Sequence, residues 1–531
     1  MQFHLSPSMK RITISTASGP LDSLKVKAAK RSVSYRCLFW TILALAFLLP
    51  FVFITTALIT LEGLNKCSSI DCVAKKLSPS ITWKKGTTST DTEIQYAFIQ
   101  ALGERLPEGA SIPETFDDFL IELQEKRFDA KTCIMKLKAM VDVHEQRQNN
   151  ARLQAALYRH YASSGIPKGM HCLSLKLTAE YSSNARARQD LPSAELAPSL
   201  IDKSLYHLVL VTDNVLAASV VVSSSVRNSA QPHKIVFHVV TDKKTYAAMH
   251  TWFALNPLAP AVVEVKGLHQ FDWMKRENIP VLEALETQQD IRRYYHGNHA
   301  VGADLSVSPR ILASKLQARS PTYISILNHL RIYLPQLFPR LEKVVFLDDD
   351  VVVQQDLSQL WDIDLEGKVN GAVETCRGEN KEVMSKRFKT YFNFSHPLIG
   401  ANFDPEQCAW AYGMNIFDLQ AWRQTNVTDI YHFWQKQNLK SNLTLWRLGT
   451  LPPALIAFSG YVHPISSYWH LIGLGYYANS SIDNIRRSGV IHYNGHAKPW
   501  LDIAIPEFRP FWTKYVNYSN EFIRRCNILE S

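Results

Sequence analysis

Val344, Val345, Phe346 and Leu347 form an unbroken apolar run, the pattern of a central strand covered on both faces, and Asp348, Asp349 and Asp350 follow it directly. Similar runs at residues 207–213, 235–240 and 262–265 predict three further strands with helical stretches between them. That order belongs to a mostly parallel, nucleotide-binding α/β sheet. Residues 327–334 read as a helix entering the acidic strand. Upstream, Phe116, Phe119, Leu120 and Leu123, then Met135, Leu137, Met140 and Val141, recur at three-to-four spacing and predict helices. Residues 62–90, rich in Ser, Thr and Lys, suit a flexible stem, and residues 184–199 read as a linker. Residues 267–320 form an insertion whose Arg292, Arg293, Tyr294 and Tyr295 mark either an acceptor-contacting lid or a solvated loop.

Residues 37–61 contain no charged side chain over 25 positions, enough to cross a bilayer. The 36 residues before them hold seven basic side chains against Asp22 alone. By the positive-inside rule this predicts a retained type II anchor, with a cytosolic tail at 1–36 and everything after residue 61 translocated. A cleaved signal peptide is the alternative, but its apolar core is shorter and closer to the first methionine. Five Asn-X-Ser/Thr acceptors, at Asn393, Asn426, Asn442, Asn479 and Asn517, all fall on the translocated side. So do seven of the eight cysteines, an odd number that leaves one thiol unpaired within the chain. The expected division is a tail (1–36), an anchor (37–61), a stem (62–90), a helical stem and linker region (91–200) and a catalytic domain (201–531).

The chemistry concentrates at two distant places. Strand side chains alternate, so Asp348 and Asp350 project to one side and Asp349 to the other. A carboxylate pair at a strand end suits Mg²⁺ or Mn²⁺, hard cations commonly shared between one or two carboxylates and substrate phosphates. A nucleotide diphosphate is the natural partner. Near the C-terminus, the apolar Val490 and Ile491 lead into His492, Tyr493, Asn494, Gly495, His496, Ala497, Lys498, Pro499 and Trp500. The His492 imidazole can complete a carboxylate metal site, Gly495 permits close backbone approach, and Lys498 supplies a point charge for phosphate. Asp213 and Asn214 end the first strand, where turn duty and ligand contact are both open readings. Trp410, Tyr412, Trp469 and His470 either line a sugar site or pack in the core. No glycine-rich phosphate loop and no nucleic-acid fingerprint occurs. The net charge of +10 therefore points to another polyanion, although six of those charges belong to the cytosolic flank.

The run from Leu347 through Asp348, Asp349, Asp350 and Val351 to Val353, with the motif from His492 to Trp500, resembles the retaining glycosyltransferases of family 8. Leu327 to Pro335, Gly449 to Pro453, Trp410 to Asn415 and Tyr161 to Pro167 are similar to the plant pectin galacturonosyltransferases of that family. The likeness spans roughly residues 155–525. It implies a GT-A-type, Rossmann-like sheet that binds a nucleotide sugar. It also implies transfer of galacturonate from UDP-galacturonate to the non-reducing end of homogalacturonan, an acidic polysaccharide, in the Golgi lumen. On this resemblance Asp348, Asp350 and His492 hold Mn²⁺ (or Mg²⁺), and Asp213, Asn214, Asp349, Gly495 and Lys498 face the nucleotide. Arg331 joins Asp348 and Asp350 at the reacting sugar. Partners are the UDP-sugar, the polysaccharide, the membrane and related transferases in an oligomer. Another UDP-sugar, or a non-catalytic anchoring subunit, are the alternatives.

Overall fold

The computed structural model describes residues 128–274, 326–377, 386–446, 449–476, 478 and 480–530, and most of 96–126. The expected anchor, the stem at 62–90, Arg292 to Tyr295 and Asn479 lie outside the described residues. Among those described, no helix is long and apolar enough to cross a membrane. The chain divides into two compact units, Met1–Glu145 and Gln146–Ser531.

In the first unit the predicted three-to-four spacing becomes the helix Phe116–Lys126, which buries Phe119. Thr115 and Asp118 cap its start reciprocally: Thr115 Oγ1 accepts from the Asp118 backbone N–H, and the Asp118 carboxylate accepts from the Thr115 N–H, both at 3.1 Å. Lys136, on the helix Ala130–Ser164 that continues beyond this unit, is buried and pairs with Glu122 at 2.8 Å.

The second unit is built on strands β1 (Tyr206–Val211), β2 (Ile235–Thr241), β3 (Val262–Gly267) and β4 (Lys343–Leu347), followed by β5 (Val351–Val353), β6 (Asn370–Ala372), β7 (Met414–Asp418), β8 (Val462–Pro464) and β9 (Val490–His492). Seven of them form one sheet in the order β3-β2-β1-β4-β7-β6-β8, with β3, β2, β1 and β4 mutually parallel and β7 antiparallel to its neighbours. The expected mostly parallel α/β sheet is present, with β7 running antiparallel within it. Side-chain alternation divides the core. Leu208, Leu210, Phe237, Val239, Val345 and Leu347 face one side, while Val209, Val344 and Phe346 face the other, all essentially inaccessible to water. Each such side chain contributes about 1.5–3 kcal/mol relative to exposure.

The crossover from β1 to β2 is the helix Val215–Arg227, buried from Val215 to Ser225. Its serines are tolerated in the core because Ser219, Ser224 and Ser225 donate to carbonyls three or four residues back. The helix also anchors β5: the Val353 N–H donates to Ser224 Oγ, and Asn228 Nδ2 donates to the Val353 carbonyl at 2.9 Å. Leu173 and Leu177, on the helix Lys168–Ser183, join the same core although they lie in the stretch expected as stem and linker. A disulfide between Cys172 and Cys526 staples that helix to the chain end, and a second joins Cys376 to Cys408. Among the described cysteines only Cys133 is free. The helix expected at 327–334 is broken into Ile326–His329, a 3₁₀ turn at Leu330–Tyr333, and Leu334–Leu337. Pro335 has no N–H to return to the Arg331 carbonyl, so a continuous α-helix is not available.

One buried polar file crosses the sheet on the face that carries Phe338. His207 Nε2 donates to the Asp202 carbonyl at 2.8 Å, and its Nδ1 meets His238 Nε2 at 3.0 Å. His238 Nδ1 in turn meets Glu264 Oε2 at 2.7 Å. Burial, with the charge of His238 beside it, pushes His207 down to about 4. A histidine in the unfolded chain titrates near 6.5. Between these values the unfolded chain binds a proton that the folded one refuses, so stability is complete above the upper value and falls as pH drops toward the lower. The loss is on the order of 3 kcal/mol. Thermal unfolding of the full chain from about pH 7 to about pH 4.5 is expected to show a shallower decline in His207→Gln than in the wild type. Equal slopes would refute the assignment.

Candidate active site

β1 and β4 are adjacent and parallel, and the chain leaves both at the same edge of the sheet. The order of strands reverses between them, the position at which open α/β sheets carry their ligand crevice. Thr212, Asp213 and Asn214 follow β1; Asp348, Asp349 and Asp350 follow β4. The imidazole arrives by a separate route. β5 and β9 pair antiparallel, with Val351 opposite His492 and Val353 opposite Val490, and the Tyr493 N–H donates to the Asp350 carbonyl at 2.8 Å. Two motifs more than 140 positions apart are thereby placed in register.

Ligand atoms of Asp348, Asp350 and His492 lie within 4.8 Å of one another. His492 Nε2 is 2.9 Å from Asp350 Oδ1 and 3.9 Å from Asp348 Oδ2. Its Nδ1 is engaged by His470 Nε2 at 3.0 Å, in rings stacked at 13°. One nitrogen is thus oriented by a neighbouring side chain while the other faces the carboxylates, the usual arrangement behind a metal-binding histidine. Two carboxylate oxygens and an imidazole nitrogen form a donor set that fits a divalent cation such as Mg²⁺ or Mn²⁺. The imidazole depends on Gly413: a Cβ there would stand 2.2 Å from His492 Cε1. Gly413 is held in place by its carbonyl, which accepts from the Asp348 N–H at 2.8 Å.

Each aspartate has its own partner. Arg331, expected from the resemblance at the reacting sugar, is buried between the faces of Phe346 and Tyr412, 4.4 and 3.9 Å from the ring centroids. It donates to Asp348 Oδ1 at 2.5 Å and to the Tyr412 carbonyl, so it fixes a putting-forward of Asp348 toward the cluster. Asp349 points the other way, as alternation requires, and accepts from Thr212 Oγ1 at 2.6 Å. Burial, and next the charge of Asp350, push its carboxyl up to about 7. Burial opposes ionisation of Asp350 as well. There the charges of His492 and Lys498 outweigh it and hold the carboxyl well below the usual range.

Lys498, expected at a phosphate, contacts Asp350 and also donates to the Tyr493 carbonyl at 3.2 Å. Gly495 has φ +126°, and a Cβ there would meet the Gly475 carbonyl oxygen at 2.6 Å, so the close approach it permits is to the neighbouring strand-like segment. Asn214 caps the helix after β1, accepting from the Ala217 N–H at 3.1 Å, while Asp213 is exposed beside it. Trp410, Tyr412, Trp469 and His470 are all buried, which favours the packing reading. The sequence reading overlooked Thr212, Gly413 and the role of His470 behind His492. A glycine directly before the apolar run at Met414 was the available signal for Gly413.

A sequence profile of glycosyl transferase family 8 matches residues 172–504. This chain belongs to glycosyl transferase family 8. Over 100% of both chains the transferase is 60% identical to the Arabidopsis thaliana protein named "Probable galacturonosyltransferase 13" and 52% identical to "Probable galacturonosyltransferase 12" from the same plant. Among solved structures, galactosyltransferase LgtC in complex with donor and acceptor sugar analogues matches 60% of this chain and 99% of its own, at 18% identity and a TM-score of 0.37. That distance is too great to transfer residue roles. In the family 8 transferase described above, the space at Gly413 should govern cation binding. Gly413→Ala is expected to weaken divalent-cation binding, probed with Mn²⁺, about 10- to 100-fold in calorimetric titration with UDP present. Undiminished affinity would show that the imidazole does not need that space.

Proposed function

We propose that the protein transfers galacturonate, with retention of configuration, from UDP-galacturonate to the non-reducing end of homogalacturonan in pectin synthesis. The carrying observation is the full-length identity of 52–60% to proteins named as galacturonosyltransferases in a chain whose Asp348, Asp350 and His492 converge. Those three residues would hold a divalent cation, which we take to be Mn²⁺. When bound, it would supply positive charge to offset that growing on the diphosphate as the sugar–phosphate bond breaks. Arg331 keeps Asp348 aligned, and Lys498 adds positive charge at the same edge.

Asp348 is tied to Arg331, Asp349 to Thr212, and Asp350 to His492 and Lys498. None of the three is presented as a free nucleophile of the kind that retaining glycosidases use. This supports front-side attack, in which the departing phosphate accepts the proton of the incoming hydroxyl.

For location we propose a single-pass type II Golgi membrane protein, anchored through residues 37–61, with the catalytic unit in the lumen and related transferases as oligomeric partners. Support comes from two disulfides, which need an oxidising compartment, and from the exposure of the acceptors Asn393, Asn426, Asn442 and Asn517.

Detergent-solubilised full-length protein is expected to move radiolabelled galacturonate from UDP-galacturonate onto short oligogalacturonides when Mn²⁺ is supplied, and to stop when it is chelated. Asp350→Asn should lower the rate by about 1,000-fold or more in a protein that still folds, with a lowered melting temperature because His492 and Lys498 lose their counter-charge. Absence of transfer by the wild-type protein would reject this function, and activity with UDP-galactose alone would reassign the donor.

A further inference from the structure

A uronic acid differs from its parent sugar by one carboxylate, and a transferase that selects it needs a cation on the sugar side of the cleft. Lys386 has the properties of such a group. It stands among three basic residues, two of which share one acid: Arg387 donates to the Glu406 carbonyl at 2.6 Å and approaches its carboxylate at 3.6 Å, and Lys389 contacts the same carboxylate. Lys386 turns elsewhere. Its ammonium lies 5.6 Å from the ring centroid of Tyr476 and 5.8 Å from that of Tyr391, and among the described residues it forms no ion pair. Burial alone pushes it below its ordinary range. A half-buried ammonium with no acid beside it among the described residues is costly to keep, and a bound anion would relieve that cost.

Its position is set by the walls of the site already described. The Lys386 carbonyl accepts from Thr375 Oγ1 at 2.9 Å and from the Ala409 N–H at 3.2 Å, beside the disulfide that joins Cys376 to Cys408. From Ala409 the chain runs through Ala411 and Tyr412 to Gly413, against the His492 ring. Tyr476 closes the circuit: it packs with Ala411, meets the His496 ring at 5.9 Å, and abuts Gly495.

We propose that Lys386 binds the carboxylate of a galacturonosyl unit beside Tyr476, next to the segment that carries His492, Gly495 and His496. The assignment rests on the function proposed above and names the residue that distinguishes galacturonate from galactose. The carboxylate belongs either to the donor or to the terminal unit of the acceptor, and steady-state kinetics separates the two.

In the full-length protein, Lys386→Met, which keeps the aliphatic packing on the tyrosines, is expected to lower kcat/KM by about 10- to 100-fold. The loss should appear in KM for UDP-galacturonate if the donor is held, or in KM for oligogalacturonide if the acceptor is. Lys386→Arg should recover most of it, and affinity for UDP, which has no carboxylate, should stay at the wild-type value. Lys386→Gln reads the same point if the methionine variant folds poorly. Unchanged KM for both uronates, a fall in kcat alone, or an equal loss of UDP affinity would each overturn the assignment. Wild-type protein that transfers no galacturonate rejects the function itself, whereas active wild type with an indifferent Lys386→Met rejects only this role.

Discussion

The short antiparallel ladder between β5 and β9 is the constraint on which the site depends. Three residue pairs, with Val351 opposite His492, decide which atoms of the late segment meet the acidic turn. A slip by one residue would turn the imbalance of faces over and send the imidazole away from Asp348 and Asp350. The ladder is held from behind by Ser224 and Asn228 of the first crossover helix and in front by the Tyr493 N–H on the Asp350 carbonyl. Backbone hydrogen bonds therefore locate the site more than its own side chains do.

Three neighbouring aspartates in a largely buried turn would repel one another unless each were answered differently. Arg331 answers Asp348 with a charge held flat between two aromatic faces, and Lys498 and His492 answer Asp350. Asp349, half-buried with the Thr212 hydroxyl as its hydrogen-bond partner and the Asp350 charge beside it, is the one whose carboxyl is driven upward. Low dielectric makes these assignments firm, because a misplaced partner would leave an uncompensated charge in the interior. The same turn can thus be both acidic and well ordered.

Much of this was readable from the chain. The four parallel strands announced themselves as apolar runs because a strand covered on both faces has no reason to alternate. Asp348, Asp350 and His492 were legible as residue types suited to one cation. What the sequence reading could not reach were relationships set by packing. Gly413 matters because the His492 ring stands where its Cβ would be, and no local pattern encodes that neighbour. His470 reads as an aromatic-like lining residue until its nitrogen is found behind His492. The 327–334 helix failed through Pro335, a local signal underweighted against the apolar spacing around it.

The connectivity also bears on how the protein is made. β1 through β4 and the acidic turn leave the ribosome well before β9, and Cys526, the partner of Cys172, emerges later still. Until those last segments arrive, a growing chain holds a nearly finished sheet with aspartates that lack their imidazole and lysine counterparts. A chain that lacked its last tenth would therefore carry Asp350 without either of the two groups that balance its charge, so the acidic turn reaches its final electrostatics only when the late segment is in place.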